Sequence, residues 1–226
     1  MTTNRSSDTR TTRRSRPGEL RTVVHYEQIE MHLGDDGLHY KNDLDRSVQL
    51  ARDYLDRRLR ARLSHERYAI VLDIDETAIS NWEYFKTEWP QFTMEKFSRW
   101  ASSLNASPIR PTLELFEYVK SQDVAVFFIS LRPEGYRTRT EQLLEKAGYR
   151  GWRELKLQPH LNPEAPSGSD SSRQESDAGG YKSGERRKIM EAGYLIIANI
   201  GDQQSDLSGG YAEEHFKLPN PFYSVL

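Results

Sequence analysis

Three short apolar runs, each ending in a polar group able to do chemistry, constrain this chain more than any other feature. Residues 68–72 (YAIVL) run into Asp73, residues 124–129 (VAVFFI) into Ser130, and residues 194–200 (YLIIANI) into Gly201 and Asp202. An unbroken apolar run of this length reads as a strand covered on both faces, as in a parallel sheet. Helical patterns separate the runs. They cover residues 111–121, opened by Pro111, residues 136–147, closed by Gly148, and residues 184–192, closed by Gly193, with the proline and glycine punctuation that helix ends favour. Alternating strands and helices predict an α/β fold, an open parallel sheet with helices on both faces. In such a sheet ligands bind beyond the carboxyl ends of the strands, so Asp73, Ser130 and Asp202 are expected to converge.

Other segments complete the plan. Over residues 43–63, Leu44, Val48, Leu50, Ala51, Leu55, Leu59 and Leu63 recur at helical spacing among charges and predict an amphipathic helix against the core. Residues 81–105 hold Trp82, Tyr84, Phe85, Trp89, Phe92, Phe97 and Trp100. That is too aromatic for a loop and too long for a crossover, and predicts a small helical cap over the crevice. These rings could stack a nucleobase, but aromatics at helical spacing such as Phe97 and Trp100 more often build the cap's own core. Residues 163–180, rich in Ser, Gly, Asp and Pro, read as a mobile loop. Residues 1–21 read as a flexible Arg/Ser/Thr-rich tail, leaving one domain over residues 22–226. A hydrophobic fraction of 36% and a mean hydropathy of -0.81 fit a chain with segments outside its core.

Composition closes off several classes. The chain has no cysteine, which excludes disulfides, thiolate metal sites and a cysteine nucleophile. No stretch approaches the roughly 18 apolar residues needed to span a bilayer, so no membrane partner is expected. Arg5, Arg10, Arg13, Arg14 and Arg16 could touch an acidic surface, but the plainer reading is a solvated arm, and a net charge of -2 does not favour a specific nucleic acid. No apolar segment follows Arg13 and Arg14 as in a secretion signal, so the default compartment is the cytoplasm, with organelle targeting by the arginine-rich end left open. Self-association into a homo-oligomer is also left open. The histidines, at positions 25, 32, 39, 65, 160 and 215, form no metal-ligand pattern, and neither a Gly-rich dinucleotide fingerprint nor a P-loop occurs.

Asp73 and Asp75 lie two residues apart where a buried strand ends and the chain turns. A carboxylate attacks phosphorus competently once a divalent cation shields the phosphate, and a second can serve as acid and base. Asp73 is therefore expected to attack, and Asp75 to protonate the leaving oxygen and then activate water. Ser130 and nearby amides could hold phosphoryl oxygens, while Lys182 could offset the negative charge. Alone, Ser130 serves equally as a local cap, and Lys182 is more often a solvated surface lysine. Asp202 beside Gly201 is placed to bind Mg²⁺ through oxygen, and Asp206 could orient Lys182 or a metal-bound water.

With these residues on the page, VLDIDET, FISLR, YKSGERR and IGDQQSDL resemble the four motifs of haloacid dehalogenase-like (HAD) phosphatases, in the same order. The continuation AISN at residues 78–81, YKS at 181–183 and FKLPNPFY at 216–223 are similar to the acid phosphatase branch, subfamily IIIB, which includes plant vegetative storage proteins and bacterial outer-membrane acid phosphatases. The resemblance covers residues 68–226. It implies a Rossmann-like core with a cap inserted after the first motif, one Mg²⁺, and a small phosphorylated substrate, a nucleoside monophosphate or another phosphomonoester. It further implies Asp73 as nucleophile and metal ligand, and Asp75 as acid/base and a ligand through its carbonyl. Ser130, Arg132 and Lys182 would bind phosphate, Asp202 would bind metal, and Thr77 and Asp206 would support the site.

Three features depart from the branch. Leu131 stands where a glycine usually precedes the arginine, residues 163–180 are longer than usual, and no secretion signal is visible. A bulky residue where backbone approaches phosphate could weaken binding. A catalytically weak storage or interaction protein on the same fold is therefore the alternative. A receiver-type signalling domain fits less well, because its phosphoryl-accepting aspartate would sit on a later strand, where Ser130 stands here.

Overall fold

A computed structural model of the chain describes residues 22–23, 26–88, 91, 94–101, 103–159 and 178–225. The tail and most of the loop expected at 163–180 lie outside the described residues. In chain order the elements are β1 (Thr22–Val23), α1 (Tyr26–Gly34), α2 (Leu38–Arg60), β2 (Tyr68–Leu72), β3 (Ile79–Ser80), α3 (Trp82–Glu88), α4 (Met94–Ala101), β4 (Ser107–Pro108) and α5 (Arg110–Ser121). They continue with β5 (Ala125–Pro133), α6 (Arg137–Lys146), β6 (Glu154–Gln158), α7 (Ala178–Glu191), β7 (Leu195–Gly201), α8 (Gln204–Leu207), β8 (His215–Lys217) and β9 (Ser224–Val225).

The five-stranded sheet runs in the order β6-β5-β2-β7-β8, and every pair in it is parallel. The α/β architecture read from the sequence is thus the one observed. The three apolar runs are its central strands, and all five residues of β2 are buried. The edge strands β6 and β8 were not anticipated. β6 alternates Glu154, Leu155, Lys156, Leu157, Gln158, the pattern of a strand covered unevenly at a sheet edge.

Helix α2 buries Tyr40, Leu44, Val48, Ala51 and Leu55, while Leu50 and Leu63 from the expected stripe are more than half exposed. α7 begins at Ala178, not at Gly184 as the pattern suggested. Residues 178–180, expected in the mobile loop, are its first turn, so Lys182 is delivered by a helix. Successive turns of α7 bury Lys182, Arg186 and Ile189, at the i, i+4, i+7 spacing of one helical face.

The segment between β2 and α5 is a helical cap, formed by α3 and α4 and closed at its base by the antiparallel pair β3-β4. Its described aromatics pack together. Phe85 stacks on Phe222 with ring centroids 4.3 Å apart and planes at 3°, and Tyr84 touches Phe97 at 5.5 Å and Trp100 at 5.7 Å. Trp82, Tyr84 and Phe85 are buried. These rings form the cap's core and seat it on the C-terminal segment, the second of the two roles weighed for them. Trp89 and Phe92 lie outside the described residues.

Candidate active site

Asp73 continues the β2 ladder, its N–H donating to the Ile200 carbonyl of β7 at 3.0 Å. The chain then folds back on itself, with the N–H groups of Thr77, Ala78 and Ile79 all donating to the carbonyl of Ile74. This tight loop takes Glu76 through a left-handed conformation at φ 54, a strained arrangement for a non-glycine residue. The turn leaves Asp73 and Asp75 at the strand's carboxyl end, where the sequence put them.

Lys182 of α7 reaches the same place. Its Nζ donates to Asp73 Oδ1 at 2.5 Å and also to Asp206 Oδ1. Asp73, Lys182, Asp202 and Asp206 are all buried. The second oxygen of Asp206 accepts the Gln203 N–H at 2.7 Å in a capping box at the start of α8. Gly201 permits this approach, since a Cβ there would lie 2.3 Å from the Asp206 Cβ. Both Asp206 oxygens are thus engaged, and the carboxylate orients the lysine.

Asp202 is held from three sides. Thr77 Oγ1 donates to its Oδ1 at 3.2 Å, and its Oδ2 receives Asn220 Nδ2 at 2.7 Å and Gln203 Nε2. Asn220, within the FKLPNPFY segment, is itself fixed by the N–H groups of Phe222 and Tyr223 donating to its Oδ1. Arg186, fully buried, donates to the carbonyls of Asp206, Ser208 and Gly210 and so ties down the loop after α8.

One residue expected to bind phosphate is differently engaged. Arg132 donates from Nε to Asp75 Oδ2 and from Nη2 to Asp75 Oδ1, both at 2.8 Å, and from Nη1 to the Ala101 carbonyl of α4 at 2.6 Å. Two parallel bonds of this kind are the strong geometry for an arginine and a carboxylate. The Ser130 hydroxyl accepts the Arg132 N–H at 3.2 Å, the local capping role that was one of its two readings. Leu131 is half-buried between them in the strand.

The electrostatics divide the carboxylates. Burial pushes Asp73 well above the usual range, with Asp206 and Asp202 adding to the rise and Lys182 opposing it. Burial likewise raises Asp202 to about 7, helped by Asp206 and resisted by Asn220 and Gln203. Asp75 goes the other way. Burial works upward on it too, but Arg132 and Asn81 outweigh burial and hold its carboxyl below the usual value. For Lys182, burial is outweighed by Asp206 and Asp73, which hold the ammonium charged.

Asp73, Asp202 and Asp206 offer oxygens within 4.8 Å of one another. Three buried carboxylates facing one ammonium leave an excess of negative charge, which is costly without a cation. The all-oxygen donor set suits a hard divalent ion. The residues present therefore fit a divalent metal.

Several of these groups were not singled out from the sequence. Glu76 is fully buried, accepts from the Tyr40 hydroxyl and the Asn81 N–H at 2.7 Å each, and is pushed up to about 7 by burial. Asn81, Gln203, Arg186 and Asn220 all fall inside segments quoted for the family resemblance, which was the available signal. Tyr40 had none, since it meets Glu76 from 36 residues away.

The description of the HAD superfamily, subfamily IIIB (acid phosphatase), matches residues 21–226. Among similar proteins, the Stem 28 kDa glycoprotein of Glycine max is 34% identical over 71% of this chain and 61% of its own length. Acid phosphatase 1 of Solanum lycopersicum is 32% identical over 69% of this chain and 58% of its own. The chain thus spans about three-fifths of the length of these relatives. The crystal structure of the class C acid phosphatase from Bacillus anthracis with tungstate bound superposes with a TM-score of 0.68 at 19% identity, covering 88% of this chain and 85% of that one, which establishes a common fold. The motif residues, the sheet that gathers them and the match over nearly the whole chain place this protein in the HAD superfamily, subfamily IIIB, the acid phosphatase family.

Proposed function

We propose that this chain is a Mg²⁺-dependent phosphomonoesterase that transfers the phosphoryl group of small phosphate esters to Asp73. The observation that carries this reading is the Lys182 ammonium, 2.5 Å from Asp73 Oδ1 and shared with Asp206. It holds a buried carboxylate at the strand end beside Asp202. Asp73, Asp202 and the Asp75 main-chain carbonyl are the groups that would hold Mg²⁺, which when bound supplies charge neutralisation at the phosphoryl oxygens. Packing of the cap aromatics on one another supports small phosphomonoesters in general over a base-stacking specificity.

In the first step Asp73 Oδ attacks phosphorus, the bond from phosphorus to the leaving oxygen breaks, and a proton from the Asp75 carboxyl passes to that oxygen, giving the alcohol and an aspartyl phosphate. In the second, ionised Asp75 takes a proton from water, whose oxygen attacks phosphorus. The bond to Asp73 breaks, releasing phosphate and restoring both carboxyl groups. Paired with Arg132, Asp75 is in its ionised form, the one suited to the second step. A substrate phosphate drawing the guanidinium to itself would remove the group that holds Asp75 low, letting Asp75 carry the proton the first step needs.

The test is phosphate release from p-nitrophenyl phosphate and a panel of nucleoside and sugar monophosphates, with Mg²⁺ or with EDTA, by wild type and Asp73→Asn. Activity is expected only for wild type with metal. A folded, metal-loaded wild type inactive on every ester would favour the storage or interaction reading instead.

A further inference from the structure

The proposed proton donor is held on a second side, by a chain of hydrogen bonds that starts in the cap. Trp100 of α4 donates from Nε1 to Asn81 Oδ1 at 2.9 Å, and Asn81 Nδ2 donates to Asp75 Oδ1 at 3.0 Å. Asn81 is fully buried. Its backbone is pinned from below, its N–H bonded to Glu76 Oε1 while Glu76 Oε2 accepts the Tyr40 hydroxyl. The side-chain amide is left with one freedom, rotation by half a turn that would exchange its oxygen and nitrogen.

That freedom matters to proton transfer. An ionised Asp75 can only accept, so it selects the NH₂ group of Asn81 whichever way the amide began. A protonated Asp75 is a donor as well, and could give its O–H to the amide oxygen if the amide turned over. The proton would then point at Asn81 instead of at the leaving oxygen. The indole N–H of Trp100 occupies that amide oxygen and prevents the exchange.

We propose that Trp100 is a positioning residue for catalysis: seated with the cap, it fixes the orientation of the Asn81 amide and thereby aims the Asp75 proton at the leaving group. This rests on the phosphatase reading above and deepens it, because it makes leaving-group protonation depend on the cap being in place. The Arg132 bond to the Ala101 carbonyl, on the residue after Trp100, brings the same end of α4 to Asp75 by a second route.

The test uses the leaving group as the probe. A p-nitrophenolate departs readily without a proton, whereas an alkoxide needs one. The value of kcat/KM reports only steps up to the first irreversible departure, so the hydrolysis step shared by all substrates drops out. Trp100→Phe keeps the ring and removes the donor. It is expected to lower kcat/KM for an alkyl phosphate such as glycerol 2-phosphate about tenfold, against less than about twofold for p-nitrophenyl phosphate, a fraction of the ~100-fold or more a general acid can supply. Asn81→Ala should show the same discrimination more strongly. Trp152→Phe, beside Phe128 and away from the cap, removes an indole without touching Asn81, and should change both substrates alike. Equal losses on both substrates for Trp100→Phe, or no loss on either, would overturn the inference while leaving the phosphatase reading intact. A wild type that hydrolyses neither ester would remove both.

Discussion

Asp202 receives hydrogen bonds from Thr77, Gln203 and Asn220, yet its carboxyl is pushed up to about 7 because burial outweighs those donors and Asp206 adds its own charge. A divalent ion binds the ionised form, so affinity is expected to rise as pH increases through 7. Below that point each ion bound must displace protons, on the order of one per ion near pH 6. Calorimetric titration of Mg²⁺ in buffers of different ionisation enthalpy measures both quantities, and a pH-independent affinity would contradict a raised Asp202 carboxyl at the metal site. The charged residues gathered here were legible as a set: Asp73 and Asp202 each follow a buried strand, whereas Lys182, on α7, has a plain surface reading when taken alone and gained meaning only beside the other motifs. Their neutral supports were not. Asn220 and Asn81 are ordinary amides whose roles exist only once distant segments meet, and Glu76 reads as one more loop acid until Tyr40 covers it. The sequence also could not say that Arg132 would face Asp75, because that orientation is completed by a cap carbonyl, Ala101, which accepts from Nη1 while Asp75 takes Nε and Nη2.

The same division holds for elements. β2, β5 and β7 announced themselves through continuous apolar runs because they are covered on both faces. β6 and β8, at the edges, had no such need. The start of α7 was hidden by Ala178, Gly179 and Gly180, since glycine is a poor helix former. Burial of Lys182 and Arg186 holds that turn where propensity would not. The C-terminal segment after β8 illustrates an element whose job is packing. Phe222 is fully buried, stacked on Phe85 and edge-on to Tyr40 at 5.2 Å. Phe222→Ala is expected to cost about 3–5 kcal/mol, as for other buried rings. Denaturant unfolding would read that loss, and Mg²⁺ affinity should fall with it, because Asn220 is anchored by the Phe222 and Tyr223 N–H groups.

Across the whole molecule, the strand order puts β2 at the centre, so the loop bearing Asp73 and Asp75 is flanked by β5 and β7 and roofed by the cap. The two ends of the described chain meet in the β1-β9 pair, Thr22 opposite Val225. The C-terminal segment therefore serves at once the sheet edge, the cap and Asp202. Tryptophan placement follows the same geography. Of the 4 in the chain, Trp82, Trp89 and Trp100 belong to the cap segment, whereas Trp152 sits beyond the opposite ends of the strands, beside Phe128. Trp100 reaches from the cap to bond its indole N–H to Asn81, and the emission of an indole depends on such a bond and on its contact with water. The cap thus carries its own optical label. A change in fluorescence on adding phosphate ester should survive Trp152→Phe and shrink in Trp100→Phe, reporting on the Trp100 to Asn81 bond with no dye attached.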